Sequence, residues 1–185
     1  MKFKIVFTVC ALLVASLGIA SAKDVKFSMD RKKLGQSNTR SGGNMSTESK
    51  DIIYTIIVES TAFKDLENVT IEYNIYYEEA PPPQQGRPDP SVPKPQATPR
   101  TLAGKHTIEK LGSRKKTEFD TGSIVIKEVS SGGGRGGRGG GGGGGGQGKD
   151  RVVGSIIRGY NAEGKLIGEY INPTSVTSKF EWQKP

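Results

Sequence analysis

The sequence has almost no cysteine. Its one cysteine, Cys10, lies inside the apolar run from Ile5 to Ile19, which we expect to be removed with the N-terminal segment. A mature chain without thiols has no cysteine nucleophile, no cysteine-ligated zinc and no iron–sulfur cluster. It also has no disulfide. Because exported domains of vertebrate type usually carry disulfides, this absence favours a bacterial periplasm or cell surface.

Histidine is equally scarce, since His106 is the only one in the chain. A catalytic triad needs a base that is held by an acid and faces a nucleophile, and no spacing here marks such a set. We therefore favour a structural or surface role for His106, and we predict no enzyme activity, no cofactor and no metal site. The carboxylates Glu72, Glu78 and Glu79 leave open a less favoured alternative, a hydrolase with two carboxyl groups about 5–10 Å apart across a cleft.

The first 22 residues have the pattern of a secretory signal peptide. Lys2 and Lys4 precede the apolar run, and the small residues Ala20-Ser21-Ala22 follow it. Positive charge, a short apolar region and a small-residue cleavage site come in that order in secretory signals. An uncleaved anchor is the alternative, because the apolar stretch approaches the length that spans a bilayer. We predict an exported protein, in the periplasm, at the cell surface or secreted, with no stable membrane span after cleavage.

Two low-complexity segments divide the mature chain. Residues 80–100 hold eight of the ten prolines, and residues 131–149 hold fourteen of the 26 glycines. Neither composition supplies side chains for a core, so both segments are predicted to be long loops. Arg135 and Arg138 lie among the glycines and suggest RNA binding, but no Phe or Tyr is interleaved with them, and we predict no nucleic-acid partner.

The rest of the chain has the period of two that is typical of strands. From Val69 to Tyr77 the residues alternate strictly, which places Val69, Ile71, Tyr73, Ile75 and Tyr77 on one face. The β-branched run from Ile52 to Glu59 predicts a second, more buried strand. Further strands are predicted at Val25–Met29, Gly104–Lys110, Glu118–Thr121, Ser123–Val129, Val152–Tyr160, Lys165–Ile171 and Val176–Trp182. The segment Ser37–Ser49 is excluded from this set.

No window of helical length has an apolar period near 3.6 residues, so the chain is predicted to be all-β. Residues 23–185 then form a single domain, an antiparallel β-sandwich of about 7–9 strands. The hairpin formed by Arg151–Tyr160, the turn Asn161–Gly164 and Lys165–Tyr170 resembles the closing hairpin of small exported immunoglobulin-like domains of bacterial envelopes. This resemblance implies an immunoglobulin-like sandwich that acts as a non-catalytic adhesion, scaffold or secretion-apparatus module.

The charge balance suggests the chemistry of a partner. The whole chain carries a formal charge of +8, which falls to +6 when Lys2 and Lys4 are removed. Positive charge permits attraction to anionic polysaccharide, lipid headgroups or nucleic acid. Two triplets of the same composition are the candidate anion-binding residues: Arg31, Lys32 and Lys33, and Arg114, Lys115 and Lys116.

If the triplets converge in the fold, they form one anion-binding patch; if they lie on separate loops, they are ordinary solvated charges. The alternative sugar-stacking groups are aromatic residues in strands, although such residues more often fill cores or form cross-strand pairs. They are Tyr76, Tyr160, Tyr170 and Trp182. The sequence therefore leads to two hypotheses. The chain is an exported non-catalytic envelope interaction or scaffold module with an envelope protein partner, or it is a glycan- or anionic-polymer-binding module whose partner is an anionic polysaccharide.

Overall fold

The structure is a computed structural model that describes residues 23–41, 45–82, 91, 93, 95–131 and 148–185. The predicted signal peptide, residues 1–22, lies outside the described residues. Nine strands and one short 3₁₀ helix, Thr174–Ser178, occur in the described part of the chain. The strands are β1 (Val25–Ser41), β2 (Met45–Ser60), β3 (Leu66–Glu79), β4 (Thr98–Leu111), β5 (Lys116–Asp120), β6 (Ile124–Ser131), β7 (Gly148–Lys149), β8 (Arg151–Tyr160) and β9 (Leu166–Asn172).

The strands form two antiparallel sheets that pack together as a β-sandwich, which confirms the all-β prediction. In the first sheet the order is β1-β2-β6-β7, and β5 also pairs with β2. One edge of β2 therefore has two partners in turn: Met45–Ile52 pairs with β6, and Thr55–Glu59 pairs with β5. In the second sheet the order is β4-β3-β8-β9.

The core lies between the sheets and is built from the alternating faces of their central strands. In β3, Val69, Ile71, Tyr73 and Ile75 are buried, as the alternation predicts, whereas Tyr77 is half-buried at the margin. The residues of β2 that face them in the same apolar cluster are Ile52, Tyr54, Ile56 and Val58. Each fully buried Ile or Val side chain contributes about 1.5–3 kcal/mol, so this cluster dominates the stability of the sandwich.

A second, smaller apolar cluster covers the outer face of the second sheet. Tyr76, Ile156 and Val176 are its buried members, and Phe180 and Trp182 pack against them. The ring of Phe180 lies 4.8 Å from that of Tyr76, and the hydroxyl of Tyr76 donates a hydrogen bond to the carbonyl of Glu181 at 3.1 Å. The C-terminal segment, residues 173–185, therefore lies over strands whose outer face would otherwise be apolar and exposed.

The strand predicted at Val176–Trp182 is wrong, because this part of the C-terminal segment begins in the 3₁₀ helix. The hydroxyls of Thr177 and Ser178 donate hydrogen bonds to the carbonyls of Thr174 and Ser175. Ser and Thr side chains compete with strand ladders in this way. The alternation of apolar residues thus reflects contact with the outer face of the sheet, and not a strand.

The exclusion of Ser37–Ser49 from the strands is also wrong. Ser37 to Ser41 pair with Met45 to Ser49, and β2 pairs in turn with β6 from Met45 to Ile52. We call residues 35–41, 45–50 and 127–131 the ribbon, since they extend the first sheet beyond the core. Backbone ladders on both sides of β2 hold the ribbon, and its Ser-rich sequence has no buried face that would show as apolar alternation.

Residues at the ends of both low-complexity segments belong to strands and not to the predicted loops. Thr98–Arg100 belongs to β4, Ser131 belongs to β6, and Gly148–Lys149 forms β7 opposite Glu128 and Val129. Backbone pairing extends the strands into these segments although their composition is that of loops. Residues 83–90 and 132–147, at the centres of the two predicted loops, lie outside the described residues.

Candidate functional site

Two connections meet at one end of the sandwich. One is the loop between β2 and β3, residues 61–65, and the other is the turn between β4 and β5, residues 112–115. The carboxylate of Asp65 accepts hydrogen bonds from the Lys110 ammonium and from the backbone N–H of Ser113, both at 2.9 Å. The hydroxyl of Ser113 donates to the carbonyl of Ala62 at 3.1 Å. We call residues 61–65 and 112–116 the basic corner.

The core and the N-terminal residues fix the basic corner. Ala62 and Leu66 are buried in the main apolar cluster and anchor the first connection. The backbone N–H of Ser60 donates to the carbonyl of Lys115 at 2.9 Å, and that of Thr61 donates to the carbonyl of Asp24 at 2.8 Å. These bonds use backbone groups that would otherwise be unpaired where the strands end. The corner is therefore an ordered surface.

The basic corner presents an aromatic ring to solvent. Phe63 is 84% exposed, the highest value among the exposed large apolar side chains of the described residues. The guanidinium carbon of Arg114 lies 4.4 Å from the centre of the Phe63 ring. A cation over an aromatic face at this distance gains about 0.5–1 kcal/mol at an exposed site. The contact joins the two connections and favours this position of the Arg114 side chain.

The corner carries more positive charge than its carboxylates neutralise. Lys116 pairs with Glu59 at 3.3 Å, and the only acidic residue of the corner, Asp65, is paired with Lys110 at 2.9 Å. Lys64, Arg114 and Lys115 are exposed and have no carboxylate partner within the described part of the chain. Three cationic groups therefore remain available to an anion from solution.

The Asp65–Lys110 pair shows its electrostatic coupling in both partners. The hydrogen bond from Lys110 is the main reason that the pKa of Asp65 is lowered, and the Ser113 N–H and the Lys110 charge act in the same direction. The same hydrogen bond, with the Asp65 charge, raises the pKa of Lys110. Both groups are therefore charged over a wide pH range, which keeps the two connections joined.

The two predicted triplets are not brought together. Lys32 lies opposite Ile53 of β2, whereas Lys116 lies opposite Glu59. Six positions along a strand correspond to about 20 Å. The residues of the second triplet belong to the basic corner, and those of the first lie in the edge strand β1. The structure therefore offers two separate basic surfaces.

The first triplet is engaged differently from the second. Lys32 pairs with Asp120 at 3.5 Å, and the ammonium of Lys33 contacts the side-chain oxygen of Gln36. Arg31 is opposite Tyr54. Burial raises the pKa of Tyr54, and the positive charge of Arg31 offsets part of that rise. No aromatic ring within the described residues lies beneath Arg31, whereas Phe63 lies beneath Arg114.

The carboxylates considered for hydrolysis do not face one another across a cleft. Glu78 pairs with Arg151 at 2.8 Å and Glu79 pairs with Arg100 at 3.0 Å, while Glu72 is buried in β3 opposite Arg158 and Lys105. His106 stacks on Phe119 with ring centres 4.1 Å apart. The described residues contain no group of three or more His, Cys, Asp or Glu side chains that could hold a metal ion.

Sequence reasoning missed a pair of carboxylates on the ribbon. Glu48 and Glu128 lie directly opposite each other in the β2–β6 ladder. Lys50 lies between them, 3.1 Å from Glu48 and 3.8 Å from Glu128, and Lys149 contacts Glu128 at 3.1 Å. The two glutamates line a shallow polar pocket together with Asn38, Arg40, Ser46 and Ser130. Only the strand register reveals this pair, because 80 residues separate its members in sequence.

The aromatic residues proposed for sugar stacking are mostly engaged in packing. Tyr76 is fully buried, and Trp182 packs against its cluster with Arg158 4.4 Å from the centre of its ring. Phe63 was not among the predicted residues. Little in the sequence indicates this residue, because 50 residues separate it from Ser113 in the turn to which its loop is bonded.

Comparisons with known proteins give little further information. No protein-family model matches the chain, and no curated protein matches its sequence. A solved structure that resembles it is the X-ray structure of Northeast Structural Genomics Consortium target SoR45. The identity is 8%, the TM-score is 0.39, and the likeness covers 90% of this chain and 98% of that one. A likeness of this degree carries no argument about fold or function. In the described part of the chain, no helix is long and apolar enough to cross a membrane.

Proposed function

We propose that this chain is an exported, non-catalytic interaction module of the cell envelope, built on an immunoglobulin-like β-sandwich, and that it docks to its partner through the basic corner. The strand order supports the immunoglobulin-like part of the proposal. Immunoglobulin sandwiches place their first two strands and a later strand in one sheet, and the third strand and the closing hairpin in the other. Here β1, β2 and β6 share one sheet, while β3, β8 and β9 share the other.

The observation that carries the docking proposal is the exposed ring of Phe63 beneath Arg114. A large aromatic side chain that is 84% exposed buries little apolar surface on folding, so most of the ring is left for a partner to cover. Aromatic residues and arginine are enriched among the residues that dominate binding energy. In immunoglobulin variable domains, the loops at one end of the sandwich form the binding site. The basic corner occupies such an end.

Two further observations support the proposal. The signal-peptide pattern of residues 1–22 supports export. The pairing of Glu78, Glu79, Glu48 and Glu128 with Arg or Lys supports a non-catalytic role, because acid–base catalysis by a carboxylate pair needs both groups directed at a bound substrate. Binding by an ordered corner requires no such arrangement.

The test is co-sedimentation of the purified mature protein with an envelope preparation of the organism that produces it. The corner variant combines Phe63→Ala, Arg114→Gln and Lys115→Glu. A matched control combines Leu34→Ala, Arg31→Gln and Lys33→Glu. It also removes one exposed large apolar side chain, and it changes the net charge by the same amount. We expect the corner variant to bind at least about tenfold more weakly than the control, which is roughly 1.4 kcal/mol.

Circular dichroism and thermal unfolding establish that both variants are folded before they are compared. Equal binding by the two variants would refute docking through the basic corner. The absence of any wild-type binding to the envelope would refute the interaction role itself.

A further inference from the structure

We infer that the ligand of the basic corner is an acidic polysaccharide, a chain of sugar rings that carry anionic groups, and that Phe63 packs against one ring while Arg114, Lys64 and Lys115 pair with its anionic substituents. This inference rests on the proposed docking function and names the chemical class of the partner.

The guanidinium of Arg114 has a contact with Phe63 but no carboxylate partner within the described residues. Its central carbon lies 4.4 Å from the centre of the Phe63 ring. The ion pairs of the described arginines involve Arg100, Arg151 and Arg158, and not Arg114. A guanidinium carries five N–H donors and can form a bidentate bond to a carboxylate, sulfate or phosphate. This group is therefore available to an anion.

Two exposed lysines lie next to Phe63 and Arg114 in sequence. Lys64 follows Phe63 in the first connection and Lys115 follows Arg114 in the turn, and neither is ion-paired within the described residues. An unpaired ammonium on an ordered turn attracts an anion without first breaking an internal ion pair. Three unpaired cations in two connections that are bonded to each other match a polymer with regularly spaced anionic groups better than a single small anion.

The Phe63 ring provides an apolar surface for a ligand. The ring is in contact with Arg114 and yet 84% exposed, so it remains open to a ligand. The axial C–H groups of a pyranose form an apolar face with slight positive charge, which suits the negative face of an aromatic ring. An aromatic platform bordered by cations therefore fits a sugar ring that carries an acidic substituent.

The composition of the corner also argues against an acidic protein as the partner. Protein interfaces of standard size have an apolar centre that is enriched in aromatic residues and arginine but depleted of lysine. At the basic corner, Phe63 is the one exposed large apolar side chain of residues 61–65 and 112–116, and the same residues include the exposed Lys64, Lys115 and Lys116. A polysaccharide needs only one such platform for each ring, so the available apolar surface suffices.

The experiment titrates the purified mature protein with four defined polymers: polygalacturonate, dextran sulfate, neutral dextran and poly-L-glutamate. We expect both acidic polysaccharides to bind, neutral dextran not to bind, and poly-L-glutamate to bind more weakly than polygalacturonate, because it has no sugar ring for Phe63. The first two polymers also distinguish carboxylate from sulfate as the preferred anionic group. Binding should weaken as salt is raised, since surface charges are screened.

Two single variants separate the roles of ring and charge. Phe63→Ala should weaken polygalacturonate binding about fivefold or more and leave poly-L-glutamate binding nearly unchanged, because only the sugar contact is lost. Lys115→Glu should weaken both about fivefold or more, because a favourable charge becomes repulsive. The Leu34→Ala, Arg31→Gln, Lys33→Glu control should bind both polymers more tightly than the corner variant does.

Poly-L-glutamate binding equal to that of polygalacturonate, with no effect of Phe63→Ala, would overturn the inference, because the corner would then recognise charge alone. Failure of both acidic polysaccharides to bind would overturn it as well. The docking proposal would survive either result if envelope binding still depended on the basic corner. Loss of that dependence would refute the docking proposal whatever the purified polymers do.

Discussion

The two halves of β2 lie in opposite environments, although they belong to one continuous strand. From Ile52 to Ser60 most residues are buried and the strand ends at the basic corner, whereas from Met45 to Lys50 every residue is half-buried and lies in the ribbon. The half from Ile52 to Ser60, which we call the core half, is specified by apolar burial against the second sheet. The other is specified by backbone pairing with β1 and β6. Strand formation and core formation are therefore separable in this molecule.

The largest expected change in the free energy of unfolding comes from comparing a valine in the core half of β2 with a valine in the ribbon. Val58 is fully buried in the core half of β2, and Val129 is a half-buried ribbon residue opposite Thr47. We expect Val58→Ala to lower the free energy of unfolding by about 2–3 kcal/mol through lost burial and a residual cavity, and Val129→Ala to lower it by less than about 1 kcal/mol. Urea unfolding measures both values. Equal losses would mean that the ribbon is packed as tightly as the core.

A buried aspartate joins the ribbon to the second sheet and gives the next largest effect. Asp150 is 7% exposed, and its carboxylate accepts hydrogen bonds from the backbone N–H groups of Ala80 at 2.8 Å and of Lys127 at 2.9 Å. We expect Asp150→Ala to cost about 2 kcal/mol, because two N–H groups lose their partner at a site with little access to water.

Hydrogen exchange locates the effect of that substitution. In Asp150→Ala, the amides of Lys127 and Ala80 should exchange faster, while the amide of Ser60, which donates to Lys115 of the basic corner, should be protected as in the wild type. Asp150→Asn is the conservative variant, and it should restore part of the lost stability because its side-chain oxygen can still accept one bond. Uniform loss of protection throughout the molecule would show that the ribbon and the corner unfold as one unit.

The comparison also explains which parts of the fold could be predicted from sequence. The strand β3 and the core half of β2 were predicted correctly, because burial imposes a period of two on their side chains. The hairpin turn was also predictable, because Asn and Gly are the residue types that such a turn requires. Gly164 adopts a φ of 76°, and the side-chain oxygen of Asn161 accepts a hydrogen bond from the backbone N–H of Lys165 at 2.8 Å. The ribbon was missed because backbone pairing leaves no side-chain pattern.

The candidate site was predicted only in part, for a related reason. The triplet Arg114–Lys116 was recognised as a candidate anion-binding segment from local charge, and the structure places it in the basic corner. Its contact with Phe63 could not be predicted, because it depends on which two connections meet at one end of the sandwich. Convergence of the two triplets could not be judged either, since it depends on the register of β1 and β5 along β2. The local charge pattern could be recognised in the sequence, whereas contacts between distant segments could not.

The smallest expected effect concerns pH, and it separates the basic corner from the ribbon. The pKa of Asp65 is lowered in the folded protein, mainly by the hydrogen bond from Lys110. A group whose folded pKa is lowered stabilises the fold above its unfolded value, near 3.9, and this contribution is lost as the pH falls through the folded pKa. The pKa of Lys110 is raised in the folded protein, so its contribution to stability is present at lower pH. That contribution is lost as the pH rises through the raised pKa, above about 10.5.

We therefore expect Asp65→Asn to be less stable than the wild type at pH 7, and the difference to disappear as the pH falls well below 4. The effect should be small, because both side chains are exposed and screened by solvent. NMR provides the regional readout: the amide of Ser113, which donates to Asp65, should shift with the titration of that carboxylate, while the amide of Ser46 in the ribbon should not follow it. If the Ser113 amide shifts identically in Asp65→Asn, another group must control the corner, and the Asp65–Lys110 pair does not hold its two connections together.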